Sequence, residues 1–214
     1  MRYLIVCGGK IDKEFGLNEI KTDGIDAIIA ADSGMDFLYE NSVTPDIIVG
    51  DFDSTKTNAL EYFERKGQTE IRRLNPIKDD TDTEYAIRLA ISEGARSIVV
   101  LGATGSRIDH VLGNISLLGI GLERGTDICI IDTNNRIRMA DKPVTIEKSA
   151  QYGRFVSLIA VTDDNEVSLK GFKYPVTDYS FDRFTSLGIS NEIVDDQAVV
   201  DIHRGKFIII ESKD

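Results

Sequence analysis

Acidic residues that are suited to binding a metal ion follow several apolar runs of this chain. The motif VGDFDS, residues 49–54, places Asp51 and Asp53 two positions apart at the end of such a run. A second acidic group, KDDTD, occupies residues 78–82, and Asp32 ends another apolar run. Mg²⁺ prefers oxygen ligands and commonly binds one or two carboxylates together with water and phosphate oxygens. The spacing therefore favours a metal site for a phosphorylated substrate.

Each of these acids also has a purely structural interpretation. Asp and Ser are frequent helix caps and turn residues. Thr81 and Glu84 match the T-x-x-E capping box, which explains part of the second acidic group. Capping does not explain Asp51 and Asp53 together, preceded by a glycine and separated by a single residue. We therefore interpret that pair as part of a site.

A glycine-containing loop supplies features suited to phosphate. The motif LGATGSRIDH, residues 101–110, reads as a strand, a loop with Gly102 and Gly105, and then Arg107 and Asp109 at the start of a helix. Glycines allow close approach of the backbone to a ligand, and the amides of a helix N-terminus favour anions. An arginine adds a fork of donors that fits phosphate oxygens. The alternatives are a tight turn and an N-cap at Asp109.

Other signatures are weak or absent. Gly8, Gly9 and Lys10 form a second turn that nucleotides can approach, but no G-x-x-x-x-G-K-[ST] and no G-x-G-x-x-G after the first strand is present. His110 and His203 are far apart in sequence and have no partner at the spacing of a catalytic triad. Cys7 and Cys129 lie in apolar runs, which is typical of small buried thiols in a reducing compartment.

The elements that must position these residues alternate regularly in the first part of the chain. The apolar runs YLIVC, AIIAAD, DIIVGD, EIRRL, SIVVLG and DICIID are typical of strands that are buried on both faces. Helical spacing between them predicts helices over residues 33–40, 55–66 with Ser54 as N-cap, 81–92 and 109–123. This alternation predicts a Rossmann-like, mostly parallel α/β domain over residues 1–130, with the acids at the carboxyl ends of its strands.

The remainder of the chain has a different pattern. Short strand-like runs separated by Gly, Pro, Asn and Asp replace the helical spacing: RIRMAD, PVTIEK, RFVSLIAVT, EVSLKGF, AVVDIH and KFIIIES. This pattern predicts an all-β sandwich domain over residues 135–214, and places the domain boundary between residues 125 and 143.

Composition excludes some partners. The formal net charge of −11 argues against nucleic acid and against an anionic membrane surface, since both would repel the chain. No apolar stretch approaches the roughly 20 residues needed to span a bilayer, and the first apolar run is too short for a signal peptide. We expect a cytoplasmic protein.

The motifs taken together resemble those of the bacterial thiamine pyrophosphokinases. The matching segments are ADSGMDFLYENSVTPDIIVGDFDS, KDDTDTEYAI, LGATGSRIDHVLGNISLL, LKGFKYPV and SLGISNEI, and they are distributed over most of the chain. Ser106 departs from the family pattern, which usually has a glycine there. The resemblance implies transfer of the diphosphoryl group of ATP to thiamine, giving thiamine diphosphate and AMP, in an α/β domain that binds ATP and Mg²⁺ and a β-sandwich domain that binds thiamine.

The resemblance also implies roles for individual residues. Asp51, Asp53 and Asp79 would be ligands of Mg²⁺, with Asp32 and Asp82 as second-rank candidates. Phosphates would contact the backbone at Gly102 and Gly105 and the side chains of Lys78 and Arg107. Asp109 would orient Arg107 or act as a base, and Ser190 and Asn191 would bind the aminopyrimidine of thiamine; the alternative for this last pair is a polar turn.

The sequence leaves more than one interpretation of the oligomeric state and of the substrate. The short connection between the domains and the resemblance both favour a homodimer with shared active sites, in which the motif GISNEI of one subunit covers the acidic rim of the other. The alternative is a monomer whose halves close on each other. A different Mg²⁺-dependent pyrophosphokinase, acting for example on a pterin alcohol, and a non-catalytic nucleotide-sensing module are the competing functions.

Overall fold

The structure of the protein, a computed structural model, describes residues 1–52, 58–75 and 80–214. The chain divides into two compact units, Met1–Thr133 and Asn134–Asp214. The first unit alternates strands and helices, whereas the second is built from antiparallel strands. The predicted fold class, an α/β region followed by an all-β region, is confirmed.

The first unit contains a parallel sheet. In the described residues its strands are β1 (Arg2–Val6), β2 (Ala27–Ala31), β3 (Ile47–Gly50), β4 (Glu70–Arg73), β5 (Ser97–Leu101) and β6 (Asp127–Ile131). Their order across the sheet is β6-β5-β1-β2-β3-β4, and every neighbouring pair is parallel. Because the strands are parallel, the loops that follow them all leave from the same edge of the sheet.

Helices connect the strands of the first unit. They are α1 (Lys13–Ile20), α2 (Gly34–Glu40), α3 (Ala59–Lys66), α4 (Asp82–Ser92) and α5 (Ile108–Arg124). Helix α1 was not predicted from the sequence, and the predicted N-cap of α3 at Ser54 lies outside the described residues. None of the helices in the described ranges is long and apolar enough to cross a membrane.

The central strands of this sheet are buried, as their apolar sequences require. Leu4, Ala30 and Ile48 have no exposed surface and belong to one core cluster with residues of the helices. The expectation that EIRRL is buried on both faces is wrong. Glu70 and Arg73 of β4 are exposed because β4 is the last strand of the sheet and has a neighbour on one side only.

The second unit forms two antiparallel sheets. Its strands are β7 (Asn135–Ala140), β8 (Val144–Glu147), β9 (Phe155–Ala160), β10 (Glu166–Lys170), β11 (Val176–Ser180), β12 (Asn191–Glu192), β13 (Gln197–Arg204) and β14 (Phe207–Ser212), of which β11 and β12 were not predicted. One sheet has the order β12-β9-β14-β7 and the other β11-β10-β13-β8. A single apolar cluster draws Leu158 and Phe207 from the first sheet and Val167 and Val200 from the second, which is the core of a sandwich.

The order of strands in the first unit creates a switch point. The chain proceeds from β1 to β2, β3 and β4 in one direction, and then returns to place β5 on the other side of β1. The loops after β1 and β5 therefore diverge, which leaves a crevice at the carboxyl ends of these strands. Open parallel sheets bind ligands at this location.

Candidate functional site

A cavity of about 600 Å³ lies at the switch point of the first unit. Its walls are formed by the loops that follow β1, β2 and β5 and by the first turns of α4 and α5. The lining residues include Gly9, Lys10, Asp32, Asp82, Thr104, Gly105, Arg107 and Asn114. The cavity therefore brings the glycine loops together with Asp32 and Asp82.

Three carboxylates converge beside this cavity, and two of them, Asp32 and Asp82, line it. One oxygen each from Asp32, Asp51 and Asp82 lies within 4.8 Å of the other two, and all three residues are half-buried. Like charges at this separation repel one another, and a cation among them would relieve the repulsion. Oxygen donors of this type fit Mg²⁺, which prefers carboxylates to nitrogen or sulfur ligands. The donor set is therefore suitable for magnesium.

Local structure brings each acid to the cluster. Asp32 directly follows β2 with a left-handed φ of +48°, and its amide donates to the carbonyl of Val49 at 2.7 Å. Asp51 directly follows β3. Asp82 is the first residue of α4, and Thr81 caps that helix by accepting a hydrogen bond from the amide of Glu84 at 3.2 Å. Thus Thr81 acts as the predicted cap, while the adjacent Asp82 belongs to the cluster.

The residues of the cluster are not all the candidates that were ranked first as metal ligands. Asp51 was a first-rank candidate and Asp32 and Asp82 were second-rank ones, yet these three lie together. The other first-rank candidates, Asp53 and Asp79, and the expected phosphate contact Lys78 lie outside the described residues. Their roles stay predictions.

The loop between β5 and α5 presents backbone donors. In the described part of the chain, the amides of Ala103 to Arg107 donate to no protein acceptor. All five of these residues line the cavity, where the first turn of α5 begins. Consecutive amides at a helix N-terminus form a binding surface for anionic oxygens. The loop can therefore receive a phosphate group.

The two glycines of this loop differ in what they allow. Gly102 has a φ of +68°, and a Cβ atom there would overlap the carbonyl oxygen of Cys7. Gly105 has no such constraint, because among the described atoms outside its two chain neighbours the nearest to a Cβ at this position is 3.9 Å away. Gly102 is thus required by the fold itself, whereas the room at Gly105 is available for a ligand.

Arg107 and Asp109 form an exposed ion pair beside the loop. The guanidinium of Arg107 donates to the carboxylate of Asp109 at 2.7 Å, and both side chains are about two-thirds exposed. The hydrogen bonds from Arg107 and from the amide of His110 lower the pKa of Asp109 to about 2. A carboxylate with this pKa is a poor proton acceptor at neutral pH. The geometry favours orientation of Arg107 over the alternative of a base.

Residues that the sequence analysis did not single out hold the loop in place. Asn114, in the second turn of α5, donates from its amide to the carbonyl of Ala103 at 2.8 Å. The hydroxyl of Thr104 donates to Asp132 at 2.8 Å, and Asp132 directly follows β6. A signal for Asn114 was present, since it lies seven residues after Arg107 and therefore two turns along the same helix face. Asp132 also had a signal, because it ends the apolar run DICIID as Asp32 ends AIIAAD.

Ser190 and Asn191 lie in the second unit, where Asn191 has a structural task. Its side-chain oxygen accepts from the amides of Tyr174 and Glu192 at 3.1 and 2.9 Å, and its nitrogen donates to the carbonyl of Tyr174 at 2.9 Å. Asn191 is buried, whereas Ser190 is exposed with a φ of +60°. These contacts give Asn191 a structural role, and the residue lies in β12 instead of the polar turn that was the alternative. Binding of an aminopyrimidine by either residue stays a prediction.

The cysteines lack the features of a reactive pair. In the part of the chain that the structure describes, neither cysteine forms a disulfide; Cys7 is buried and Cys129 is half-buried. Burial raises the pKa of Cys7 to about 11, although the hydroxyl of Thr83 donates to its sulfur at 3.4 Å. Cys7 therefore stays protonated at neutral pH beside the cavity.

Two family models match the chain, one in each unit. Residues 21–130 match the model described as thiamin pyrophosphokinase, catalytic domain. Residues 143–207 match the model described as thiamin pyrophosphokinase, vitamin B1 binding domain. The first match covers the acidic cluster and the loop between β5 and α5.

Known proteins of the same description are similar over nearly the whole chain. Thiamine pyrophosphokinase of Bacillus subtilis (strain 168) is 33% identical over 188 residues, which are 87% of each chain. A crystal structure of the B. subtilis enzyme superposes with a TM-score of 0.89 at 30% identity, and all of both chains is covered. The thiamin pyrophosphokinase of Geobacillus thermodenitrificans gives a TM-score of 0.87 at 29% identity, over 100% of this chain and 98% of that one.

Proposed function

The chain belongs to the thiamine pyrophosphokinase family, and we propose that it transfers the diphosphoryl group of ATP to the hydroxyl of thiamine in a Mg²⁺-dependent reaction. The products are thiamine diphosphate and AMP. In this proposal the α/β domain over residues 1–130 binds ATP and the β-sandwich domain over residues 135–214 binds thiamine, with Ser190 and Asn191 as candidate contacts. A cytoplasmic location is part of the same proposal, and its support is that neither described cysteine forms a disulfide.

The observation that carries this proposal is the pairing of two kinds of group at the switch point. The carboxylates of Asp32, Asp51 and Asp82 are within 4.8 Å of one another, and the free amides of the loop between β5 and α5 line the same cavity as Asp32 and Asp82. Carboxylates alone would repel a triphosphate, and amides alone would not distinguish it from other anions. Together they support a nucleotide bound with its metal.

Asp32, Asp51 and Asp82 would hold Mg²⁺, and Asp53 and Asp79 stay predicted ligands. When bound, the ion would neutralise charge on the phosphate oxygens. The amides of the loop and Arg107 would hold other phosphate oxygens, and Asp109 keeps the guanidinium of Arg107 oriented through the 2.7 Å ion pair. Lys78 stays a predicted phosphate contact.

The reaction requires alignment above all. The hydroxyl oxygen of thiamine attacks the β-phosphorus, the bond from that phosphorus to the oxygen bridging the α- and β-phosphates breaks, and that oxygen leaves with AMP. The hydroxyl proton is released. Fixed donors that hold the triphosphate in place lower the entropic cost of bringing both reactants into line. The low pKa of Asp109 fits such a positioning role.

Release of AMP from ATP tests the proposal. The purified chain should release AMP when thiamine, ATP and Mg²⁺ are all present, and should form thiamine diphosphate in equal amount. Release with a pterin alcohol in place of thiamine would identify the competing pyrophosphokinase. Binding of ATP without any release of AMP would support a nucleotide-sensing module and contradict the proposed reaction.

A homodimer with shared active sites is the proposed assembly, and it is tested by mixing. Asp51→Asn subunits are mixed with Ser190→Ala subunits, each preparation having first been measured alone. If sites are shared between subunits, mixed dimers regain an intact site and activity rises above that of either preparation. Confirmed subunit exchange without such a rise would contradict shared sites.

A further inference from the structure

Three hydrogen bonds hold the loop between β5 and α5, and none of them involves the loop amides that face the cavity. The amide of Gly9, after β1, donates to the carbonyl of Gly102 at 2.9 Å. Asn114 of α5 donates to the carbonyl of Ala103, and the hydroxyl of Thr104 donates to Asp132 after β6, both at 2.8 Å. Each of these contacts engages a carbonyl or a hydroxyl of the loop.

Because peptide groups are planar, a hydrogen bond that fixes a carbonyl also fixes the orientation of the N–H group of the next residue. In a trans peptide the carbonyl and the following N–H lie in one plane and point in opposite directions. The hydrogen bond on the carbonyl of Gly102 therefore fixes the N–H of Ala103, and the one on the carbonyl of Ala103 fixes the N–H of Thr104. The Asp132 contact anchors the side chain of Thr104 itself. Two consecutive donors are thus oriented while their own hydrogen-bonding capacity stays available.

We infer that Asn114 and Asp132 are positioning residues that prearrange the loop amides for the phosphates of ATP. This inference rests on the proposed function for its ligand, but the bracing itself is a property of the protein without ligand. Donors that are already oriented do not have to be reorganised when charge is bound, and this gives such sites their strength. Neither residue has to touch the substrate for this role.

The two residues reach the loop from independent elements. Asn114 is half-buried on α5, and Asp132 is half-buried after β6 and does not line the cavity. Loss of one brace should therefore leave the other in place and should loosen the loop without unfolding the unit. Asp132→Asn offers a conservative variant, because its amide oxygen can still accept the hydrogen bond from Thr104.

The kinetic test compares Asn114→Ala, Asp132→Ala and Asp132→Asn with the wild type. We expect each alanine variant to raise the KM for ATP by about fivefold to tenfold, the scale of one lost hydrogen bond, with the KM for thiamine unchanged. Asp132→Asn should stay within about twofold of the wild type, since the acceptor is kept. Ser116→Ala, on the exposed face of α5, is the matched control and should change neither constant.

A measurement without nucleotide separates this inference from the proposed function. Hydrogen exchange of the Gly9 amide, whose acceptor is the carbonyl of Gly102 in the braced loop, should be faster in both alanine variants and unchanged in Ser116→Ala. Unchanged exchange in both alanine variants, or equal losses in Asp132→Asn and Asp132→Ala, would overturn the bracing. Faster exchange in a protein that releases no AMP would refute the proposed function and leave the bracing supported.

Discussion

The two units keep carboxylate charge in opposite settings. In the second unit Glu211 is fully buried, and Arg136 donates to both of its oxygens at 2.8 and 2.6 Å. Arg138 and the amide of Tyr152 complete this arrangement at 2.7 and 3.0 Å. In the first unit the carboxylates of the acidic cluster lie against one another at the rim of a cavity.

The difference separates a carboxylate that serves the fold from carboxylates that, in the proposed function, would bind a metal ion. Burial by itself raises the pKa of Glu211, but the hydrogen bonds from Arg136 and Tyr152 and the charge of Arg138 outweigh it, and the pKa is lowered. The protein therefore supplies the countercharge of Glu211 internally. The acidic cluster combines like charges at a cavity, a setting that favours a cation brought with the substrate.

The largest effect that this comparison predicts is on catalysis by Asp51→Asn. Removal of one charge from the acidic cluster should lower kcat/KM about 1,000-fold, the upper scale for loss of one group that stabilises transition-state charge. The melting temperature should change little, because relief of repulsion offsets the lost contacts. Steady-state kinetics at saturating Mg²⁺ and thermal unfolding provide the two measurements.

Asp23→Asn is the control for this variant, since it removes the same charge from an exposed turn of the first unit. It should keep full activity. If Asp51→Asn retains near wild-type turnover, or loses activity only through unfolding, the acidic cluster is structural and the comparison fails.

Next in size is the loss of stability expected for Glu211→Gln. Among the described residues this change leaves Arg136 and Arg138 without a negative partner, and each keeps about a quarter of its side-chain surface exposed. We expect the free energy of unfolding to fall by about 3 kcal/mol, the lower end of the range for breaking a buried ion pair. Urea unfolding followed by circular dichroism measures it, and the folded fraction should retain its kcat.

The dependence of the free energy of unfolding on acidic pH provides a second test of the role of Glu211. Because the pKa of Glu211 is lower in the folded state, the unfolded chain binds more protons at acidic pH, and stability rises with pH there. The contribution is complete above the ordinary pKa of Glu, about 4.3, and is lost as pH falls through the lower folded value. Glu211→Gln should reduce this dependence. An unchanged slope would show that Glu211 is not the group responsible.

A smaller effect is expected from alanine substitutions of the two glycines of the loop. Gly102 is required by the fold, whereas Gly105 leaves room for a ligand. Gly102→Ala forces a left-handed residue and an overlap with the carbonyl of Cys7, so the free energy of unfolding should fall by about 2 kcal/mol or more. The new Cβ of Gly105→Ala lies 3.9 Å from the nearest described atom outside its chain neighbours, so this variant should keep wild-type stability.

Activity distinguishes the two variants further. If phosphate approaches the loop at Gly105, its alanine variant should raise the KM for ATP although its melting temperature is unchanged. Full activity in Gly105→Ala would show that the room at this position is not used by the substrate.

The smallest effect is predicted for Asp109→Asn. The variant weakens the orientation of Arg107, and kcat should fall by about fivefold, the scale of one exposed charge-assisted contact. The shape of the pH profile between about pH 5 and 8 should not change, because the pKa of Asp109 is about 2 and the group is ionised throughout. Loss of an acidic limb in this variant would identify Asp109 as a base and contradict the positioning role.

Local features of the sequence determined much of the first unit. Apolar runs gave β1, β2, β3 and β5, the T-x-x-E pattern gave the cap at Thr81, and the acids were expected at strand ends. These features depend on a few consecutive residues, whose spacing and hydrogen bonds are set within one turn or one strand. The all-β character of the second unit was likewise predicted from the spacing of apolar residues alone.

Contacts between distant positions were decided only by the tertiary structure. The placement of β5 beside β1 brings Gly9 to Gly102, and the order of β2 and β3 brings Asp32 to Asp51. The contacts of Asp132 with Thr104 and of Glu211 with Arg136 join residues 28 and 75 positions apart. No local spacing specifies such pairs, because they depend on strand order and on which buried polar groups need partners.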